Sequence, residues 1–274
     1  DVIRAGAGDD LITGGQGNDV LIGGAGQDTF VFNQGDGSDL IDDVVQPGEA
    51  NRIVFGTGIT PDMLRLQYGG TANQGILTLQ VGAGADGLTF MGFFPDDPAA
   101  AHVVEQVQFA DGATMTWDQL FTQGVDVRGT SGDDGELFGT FADDHMVGLA
   151  GTESLNSGDG NDILDGGAGN DFLFGGSGAD TYIYNLGDGR DQIEDEVEQV
   201  LDSAGNLVDA HNRIVFGEGI TPTDIDLTLD GLSLFIRVGS TDDGLDIGSF
   251  VDTQPGIRTL DFADGLSLNL PDLA

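Results

Sequence analysis

The chain contains no cysteine and no lysine, only 7 prolines and a single tryptophan among 274 residues. Without cysteine there are no disulfides, no thiolate catalysis and no Cys-ligated zinc. Basic residues number 8, all of them arginine, against 48 acidic ones, for a formal net charge of −40. A chain so poor in positive charge has no face for nucleic acid, and anionic membrane surfaces repel it. No apolar run approaches the roughly 18 residues of a membrane span, so membrane insertion by these residues is not expected. No secretory signal peptide opens the sequence. The three histidines, His102, His145 and His211, are scattered, and neither H-E-x-x-H nor G-x-S-x-G nor a GK[ST] phosphate loop occurs. The serial, equivalent carboxylates lack the two unlike environments that glycoside hydrolysis needs. No enzyme is expected.

What is abundant is glycine, 47 residues, and it is periodic. After the partial unit Asp1-Val2-Ile3 come AGAGDDLIT, GGQGNDVLI and GGAGQDTFV, then a degenerate QGDGSDLI, which places carboxylates at Asp10, Asp19, Asp28 and Asp39. A second array over 129–193 carries Asp134, Asp144, Glu153, Asp162, Asp171, Asp180 and Asp191. Its early units are irregular: Glu136 intrudes on an apolar position, Ala142 replaces a glycine and Glu153 replaces an aspartate. Each array is followed by a similar segment. NRIVFGTGITPDML (51–64) matches NRIVFGEGITPTDI (212–225), and QFADG (108–112) matches DFADG (261–265). The organisation expected is a first array at 1–43 with a flank at 44–124, and a second array at 125–195 with a flank at 196–274. Both ends fall inside recognisable units, as in a piece of a longer protein.

Glycine at this density excludes helix or strand over the first six positions of each unit and favours a tight turn. The last three positions fit a short strand with its middle residue inward, as in the triplets centred on Leu21 and Leu173. A turn plus a strand reverses the chain once, so two units make one coil. Turns two units apart then stack at about one strand spacing, ~4.8 Å. Asp10 lies over Asp28 and Asp19 over Asp39; Asp144, Asp162 and Asp180 form one column, and Asp134, Glu153, Asp171 and Asp191 another. Columns of carboxylates repel unless a cation sits between them. Carboxylates and turn carbonyls make the flexible oxygen shell that Ca²⁺ prefers over Mg²⁺.

A dozen GGxGxDxUx units at fixed period resemble the RTX (repeat-in-toxin) calcium-binding proteins, and the flanks resemble the related domain that accompanies haemolysin-type repeats. The resemblance implies an all-β fold: two right-handed parallel β-rolls, each followed by a β-rich capping segment. It implies Ca²⁺ between turns i and i+2, held by the sixth-position carboxylates and by early-turn carbonyls, here those of Gly14, Gln16, Gly23, Ala25, Gly166, Ala168, Gly175 and Ser177. The stack would take on the order of six to eight ions. It further implies secretion by the type I route and folding outside the bacterial cell. A calcium-loaded monomer is expected. The parent role is then a structural and secretion-folding element; the alternative is the glycan- or protein-binding region of a calcium-dependent surface adhesin.

In the flanks, Leu77, Leu79 and Val81 alternate, as do Leu232, Leu234, Ile236 and Val238, which reads as strands with one buried face. Thr60-Pro61, Thr221-Pro222 and the Thr116/Gln119 pair read as helix starts. Trp117 is expected to be a packing anchor, and His145 to face solvent. Phe90, Phe93 and Phe94 are the flank residues placed to form a binding surface, should one exist.

Overall fold

The computed structural model describes the chain except residues 44–48, 70–75, 92–102, 196–198, 202–206, 210, 240–242, 249, 251–255 and 271–274. Helix among the described residues is confined to Trp117–Phe121 and to the single 3₁₀ turns Pro61–Met63 and Pro222–Asp224. Everything else regular is strand, most of it three to six residues long. The chain divides into two units, 1–126 and 127–274.

In the first unit Val2–Ala7 pairs in parallel with Val20–Ala25, which pairs in parallel with Ser38–Ile41. Leu11–Thr13 pairs likewise with Thr29–Phe32. Partners two nonapeptides apart therefore sit side by side, Ile3 beside Leu21 and Ile12 beside Phe30. The second unit repeats the arrangement: His145–Val147, Ile163–Asp165 and Thr181–Tyr184 form one parallel ladder, and Gly135–Phe138, Glu153–Asn156, Phe172–Phe174 and Arg190–Ile193 the other. The middle residue of each triplet points inward. Ile12 is 3% exposed where its neighbour Leu11 is 74% exposed, and Leu173 is 0% exposed where Phe172 is 44% exposed. A strand of three residues offers one inward side chain, so each coil contributes two, and the core is a stack of them.

The flanks continue both ladders rather than sitting on them. Arg52–Phe55 pairs in parallel with Thr29–Phe32, and Gln106–Gln108 pairs in parallel with Arg52–Phe55. Gly87–Met91 takes the next place beside Ser38–Ile41 and turns the sheet antiparallel through Ile76–Val81 and Leu64–Gly69. In the second unit Asn212–Phe216 and Gly244–Ile247 occupy the equivalent positions beside Thr181–Tyr184 and Arg190–Ile193. Leu77, Leu79, Val81, Leu234, Ile236 and Val238 are buried, as their alternation requires. Leu232 is 69% exposed; it sits in the turn before the strand Ser233–Val238 and is not part of the alternation.

Further expectations are settled by burial and hydrogen bonds. Trp117 is buried and meets Phe90 edge-on at 5.2 Å between ring centroids. Phe90 is thus core, not part of a binding surface; Phe93 and Phe94 lie outside the described residues. His145 is exposed. The Thr116/Gln119 capping box forms, with Thr116 N–H donating to Gln119 Oε1 at 2.9 Å and Gln119 N–H to Thr116 Oγ1 at 3.3 Å. Thr221 caps its turn through Asp224, whereas Thr60 makes no side-chain cap. Glu136 does not intrude on the core. Gly135 stands opposite Glu153, one residue later than the spacing suggests, so Leu137 takes the inward place beside Leu155 and Glu136 faces solvent.

Glycine is required for two separable reasons. Gly167 has φ +85°, and a Cβ there would strike the carbonyl oxygen of Leu149 in the coil below. Gly187 has φ +94° but nothing within 4 Å of its Cβ position. Gly187→Ala should therefore cost about 1 kcal/mol, the price of a left-handed residue alone. Gly167→Ala should cost distinctly more, because two stacked turns must separate. Thermal unfolding of the calcium-loaded chain checks the order.

Candidate metal centre

The turns hold their carboxylates in one repeated geometry. The aspartate at position six of each regular turn reaches down the stack, and its Oδ1 accepts the main-chain N–H of the equivalent residue one coil below. Asp28 Oδ1 accepts from Asp10 N–H at 2.9 Å, and Asp39 Oδ1 from Asp19 N–H at 3.0 Å. In the second unit Asp162 accepts from Asp144 at 2.7 Å and Asp180 from Asp162 at 2.9 Å; in the other column Asp171 accepts from Glu153 at 2.9 Å and Asp191 from Asp171 at 3.0 Å. Asp19, Asp28, Asp39, Asp144, Glu153, Asp162, Asp171, Asp180 and Asp191 are all buried.

The second oxygen has no such partner. Oδ2 of Asp10, Asp19, Asp28, Asp39, Asp162, Asp171 and Asp180, and both carboxylate oxygens of Glu153, are buried without a hydrogen bond. In four of these turns, those of Asp19, Asp28, Asp171 and Asp180, Oδ2 is aimed at the first glycine. A Cβ on Gly14 would stand 2.6 Å from Asp19 Oδ2, and one on Gly166 would stand 2.5 Å from Asp171 Oδ2. The same holds, closer still, for Gly23 beneath Asp28 and Gly175 beneath Asp180. Four of the eight carbonyl-bearing residues expected as ligands are thus the ones over which an unpaired carboxylate oxygen hangs. Of the others, Ala25 O already accepts Gly8 N–H at 2.7 Å and Ser177 O accepts Gly160 N–H at 2.8 Å, while Gln16 is an exposed turn residue and Ala168 lies in the short bridge to Ala150.

A buried acceptor left unmade costs about 1–3 kcal/mol, and more when charged. Desolvation accordingly drives the acid constants up. It is the largest cause in every case, opposed at the aspartates by the N–H from the coil below and reinforced by neighbouring carboxylates. The pKa rises to about 6 at Asp39, to about 7 at Asp162, Asp180 and Glu153, and to about 8 at Asp191, and it is raised at Asp28 and Asp171. These oxygens fit a hard divalent cation: anionic, buried, unpaired and beside backbone carbonyls. Among the described residues no three or more His, Asp or Glu side chains converge on one point, so such a shell must be completed by the backbone.

Two irregular turns differ. Asp134 is held inside its own turn, Thr130 N–H donating to Oδ2 at 2.6 Å and Thr130 Oγ1 to Oδ1 at 3.0 Å. Asp144 is satisfied in the same way by Thr140, whose hydroxyl reaches both carboxylate oxygens at 3.1 and 3.0 Å and whose N–H donates to Oδ2. Threonine at position two supplies the hydroxyl donor that a glycine cannot.

Several residues of the site have no counterpart in the nonapeptide pattern. Asn51 Oδ1 accepts Asp28 N–H at 2.8 Å and Asn212 Oδ1 accepts Asp180 N–H at 2.7 Å. They end one carboxylate column in each unit with a neutral amide. The signal was present: N-R-I-V-F repeats the frame of D-T-F-V-F, with Asn where Asp stands. Asp36 and Asp188, both buried, close local turns on Asn33 and Asn185. Position-five residues form an outer rung, as in Asn161 N–H to Asp143 Oδ1 at 2.7 Å and Ala179 N–H to Asn161 Oδ1 at 3.0 Å.

Two outcomes follow. Asp171→Ala should raise the calcium midpoint of folding by about tenfold, or about 1.4 kcal/mol; Asp134→Ala should shift it far less, because Thr130 already satisfies that carboxylate. Equal midpoints would refute the assignment. The pH effect has a definite sign. The raised pKa values mean that the calcium-free fold holds more protons than the unfolded chain between about pH 4 and pH 8, so its stability falls as pH rises through that window. With chelator present, β-structure should be greater near pH 5 than near pH 8; with calcium, acidification over the same range should raise the midpoint as protons compete.

Family comparison adds to this geometry. The RTX calcium-binding nonapeptide repeat matches at residues 1–30, 147–182 and 156–193, and the haemolysin-type calcium binding protein related domain at 76–119. The irregular turns around Asp134 and Asp144 lie outside the matched spans. The curated proteins give no match. Among solved structures, an extracellular lipase, LipA from Serratia marcescens, is similar at 20% identity and a TM-score of 0.34 over 88% of this chain, which spans 36% of the lipase. The chain carries haemolysin-type RTX calcium-binding nonapeptide repeats in both of its units, joined in the first to a haemolysin-type calcium-binding related domain.

Proposed function

We propose that the chain is a non-catalytic calcium-binding module that folds on binding Ca²⁺ after export, as a structural and secretion-folding element of a larger secreted bacterial protein. RTX repeats are calcium-binding elements, and the observation that carries the rest is the set of buried, unpaired carboxylate oxygens over the glycine turns. In this reading Asp10, Asp19, Asp28, Asp39, Glu153, Asp162, Asp171, Asp180 and Asp191 are the carboxylate ligands, with carbonyls of Gly14, Gly23 and Gly166 among those completing the shells, whereas Gly175 O already accepts Ser157 Oγ at 2.7 Å. The ions number on the order of six to eight. Residues 1–43 and 125–195 act as the rolls, and 44–124 and 196–274 as their end caps.

Bound calcium supplies positive charge between stacked carboxylates. The chain supplies the rest. Its net charge of −40 and its 47 glycines hold it expanded until the columns are neutralised. The Oδ1 ladder then fixes the coil spacing, the inward Leu, Ile and Phe side chains pack, and binding energy becomes folding energy. Export before folding and folding in millimolar extracellular calcium suit such a chain, and calcium affinities of 10⁻⁴–10⁻³ M are typical of extracellular modules.

One observation favours a second reading, a glycan- or protein-binding region of a calcium-dependent adhesin. The first unit has an open cleft of about 780 Å³ lined by Asp9, Leu11, Gln27, Asn51, Glu105 and Thr116 among others. A glycan array probed with the calcium-loaded chain separates the two, since a folding element alone binds nothing there. The main reading is tested by small-angle scattering. The radius of gyration in chelator should approach the ~58 Å of an unfolded chain of this length and collapse toward about 20 Å in calcium. The same radius in both conditions would overturn it.

A further inference from the structure

Two carboxylates meet where the first array passes into its flank. Asp28 is 0% exposed, and its Oδ2 has no hydrogen-bond partner. Asp43, the second residue after the strand Ser38–Ile41, lies over the same turn. Its Oδ1 accepts Gly24 N–H at 2.8 Å and its Oδ2 accepts Asn51 Nδ2 at 3.1 Å. Asp28 Oδ2 and Asp43 Oδ2 both fall within 2.7 Å of the point where a Cβ on Gly23 would stand. Two anionic oxygens thus face one small space; Asn51 Nδ2 reaches the Asp43 oxygen, and no donor among the described residues reaches that of Asp28. Their separation is one that a cation with oxygen ligands at about 2.3–2.6 Å can bridge.

The second unit has the same residues at the same places, with one difference. Asp195 matches Asp43, Asn212 matches Asn51 and Gly175 matches Gly23, but Tyr182 stands where the first unit has Phe30. The tyrosine hydroxyl lies beside the corresponding point on Gly175. It donates to Asp195 Oδ2 at 2.5 Å and accepts Gly175 N–H at 2.9 Å, and Asn212 Nδ2 donates to the same Asp195 oxygen at 2.6 Å. A neutral donor fills the seat that stays open in the first unit, where Phe30 has no hydroxyl to offer.

We infer that the first unit holds a divalent cation at this junction, between Asp28 and Asp43, and that the Tyr182 hydroxyl closes the equivalent seat in the second unit. The seat differs from the others in the arrays: one wall is a glycine-rich turn, and the other is the aspartate that ends the array. The ion therefore joins Asp43 to the turn below it, whereas Asp195 is held at the same place by hydrogen bonds alone. The inference rests on the calcium reading above.

The test counts calcium bound to the full chain at saturation, by equilibrium dialysis and atomic emission. Phe30→Tyr and Asp43→Asn should each bind one ion fewer than the unaltered chain, and Tyr182→Phe one more. Circular dichroism of the loaded variants checks the fold; should Phe30→Tyr disturb the core, Asp43→Asn, isosteric and only half-buried, carries the test. If the unaltered chain binds calcium and all the folded variants bind the same number of ions, the junction seat is wrong and the array reading stands. If the unaltered chain binds no calcium, both readings fall.

Discussion

A carboxylate folded back over a glycine is the constraint on which this structure depends. One oxygen is committed to the N–H of the coil below and fixes the stacking distance. The other is buried against the turn with nothing to accept from. At Gly14, Gly23, Gly166 and Gly175 a side chain is excluded because that oxygen occupies the space, and the reach of an aspartate is one coil. Burial of like charges in a column is unfavourable on its own. The nine-residue period is what brings those charges into register, so the repeat that builds the roll also builds its dependence on a counter-ion.

The two units solve the same problem with graded means. Regular turns leave an unpaired oxygen. The irregular turns at Asp134 and Asp144 use a threonine hydroxyl and N–H in its place, and they fall outside the spans matched by the repeat family. One column in each unit ends in an asparagine, which keeps the acceptor for the coil below and drops the charge. The flanks then carry both ladders onward into antiparallel hairpins with ordinary buried faces. Polarity thus passes from charged columns, through neutral amides, to a conventional apolar core.

Much of this was legible in the sequence because period and stacking are the same information. Nine residues per half-coil dictated that Leu21 and Leu173 point inward and that Asp10 lies under Asp28, and both are observed. The reading failed where geometry replaces period. Thr130 and Thr140 hold their aspartates through contacts that spacing does not encode. The extra residue at Gly135 moves Leu137, not Glu136, into the core. Asn51 and Asn212 were hidden by their amide, although N-R-I-V-F preserves the frame of the repeat. Leu232 looked like the start of an alternating strand and is instead a hairpin turn, because alternation does not mark where a strand begins.

The central claim is that ion binding and folding are one event. Far-UV circular dichroism during a calcium titration from chelator, with magnesium in parallel, tests it most directly. The account predicts a disordered spectrum that turns to β between sub-millimolar and millimolar calcium, with no such change in magnesium, whose octahedral shell and tightly held waters suit these turns poorly. A β spectrum already complete in chelator would contradict it, since the flanks would then fold the chain and calcium would only stiffen turns that stand without it.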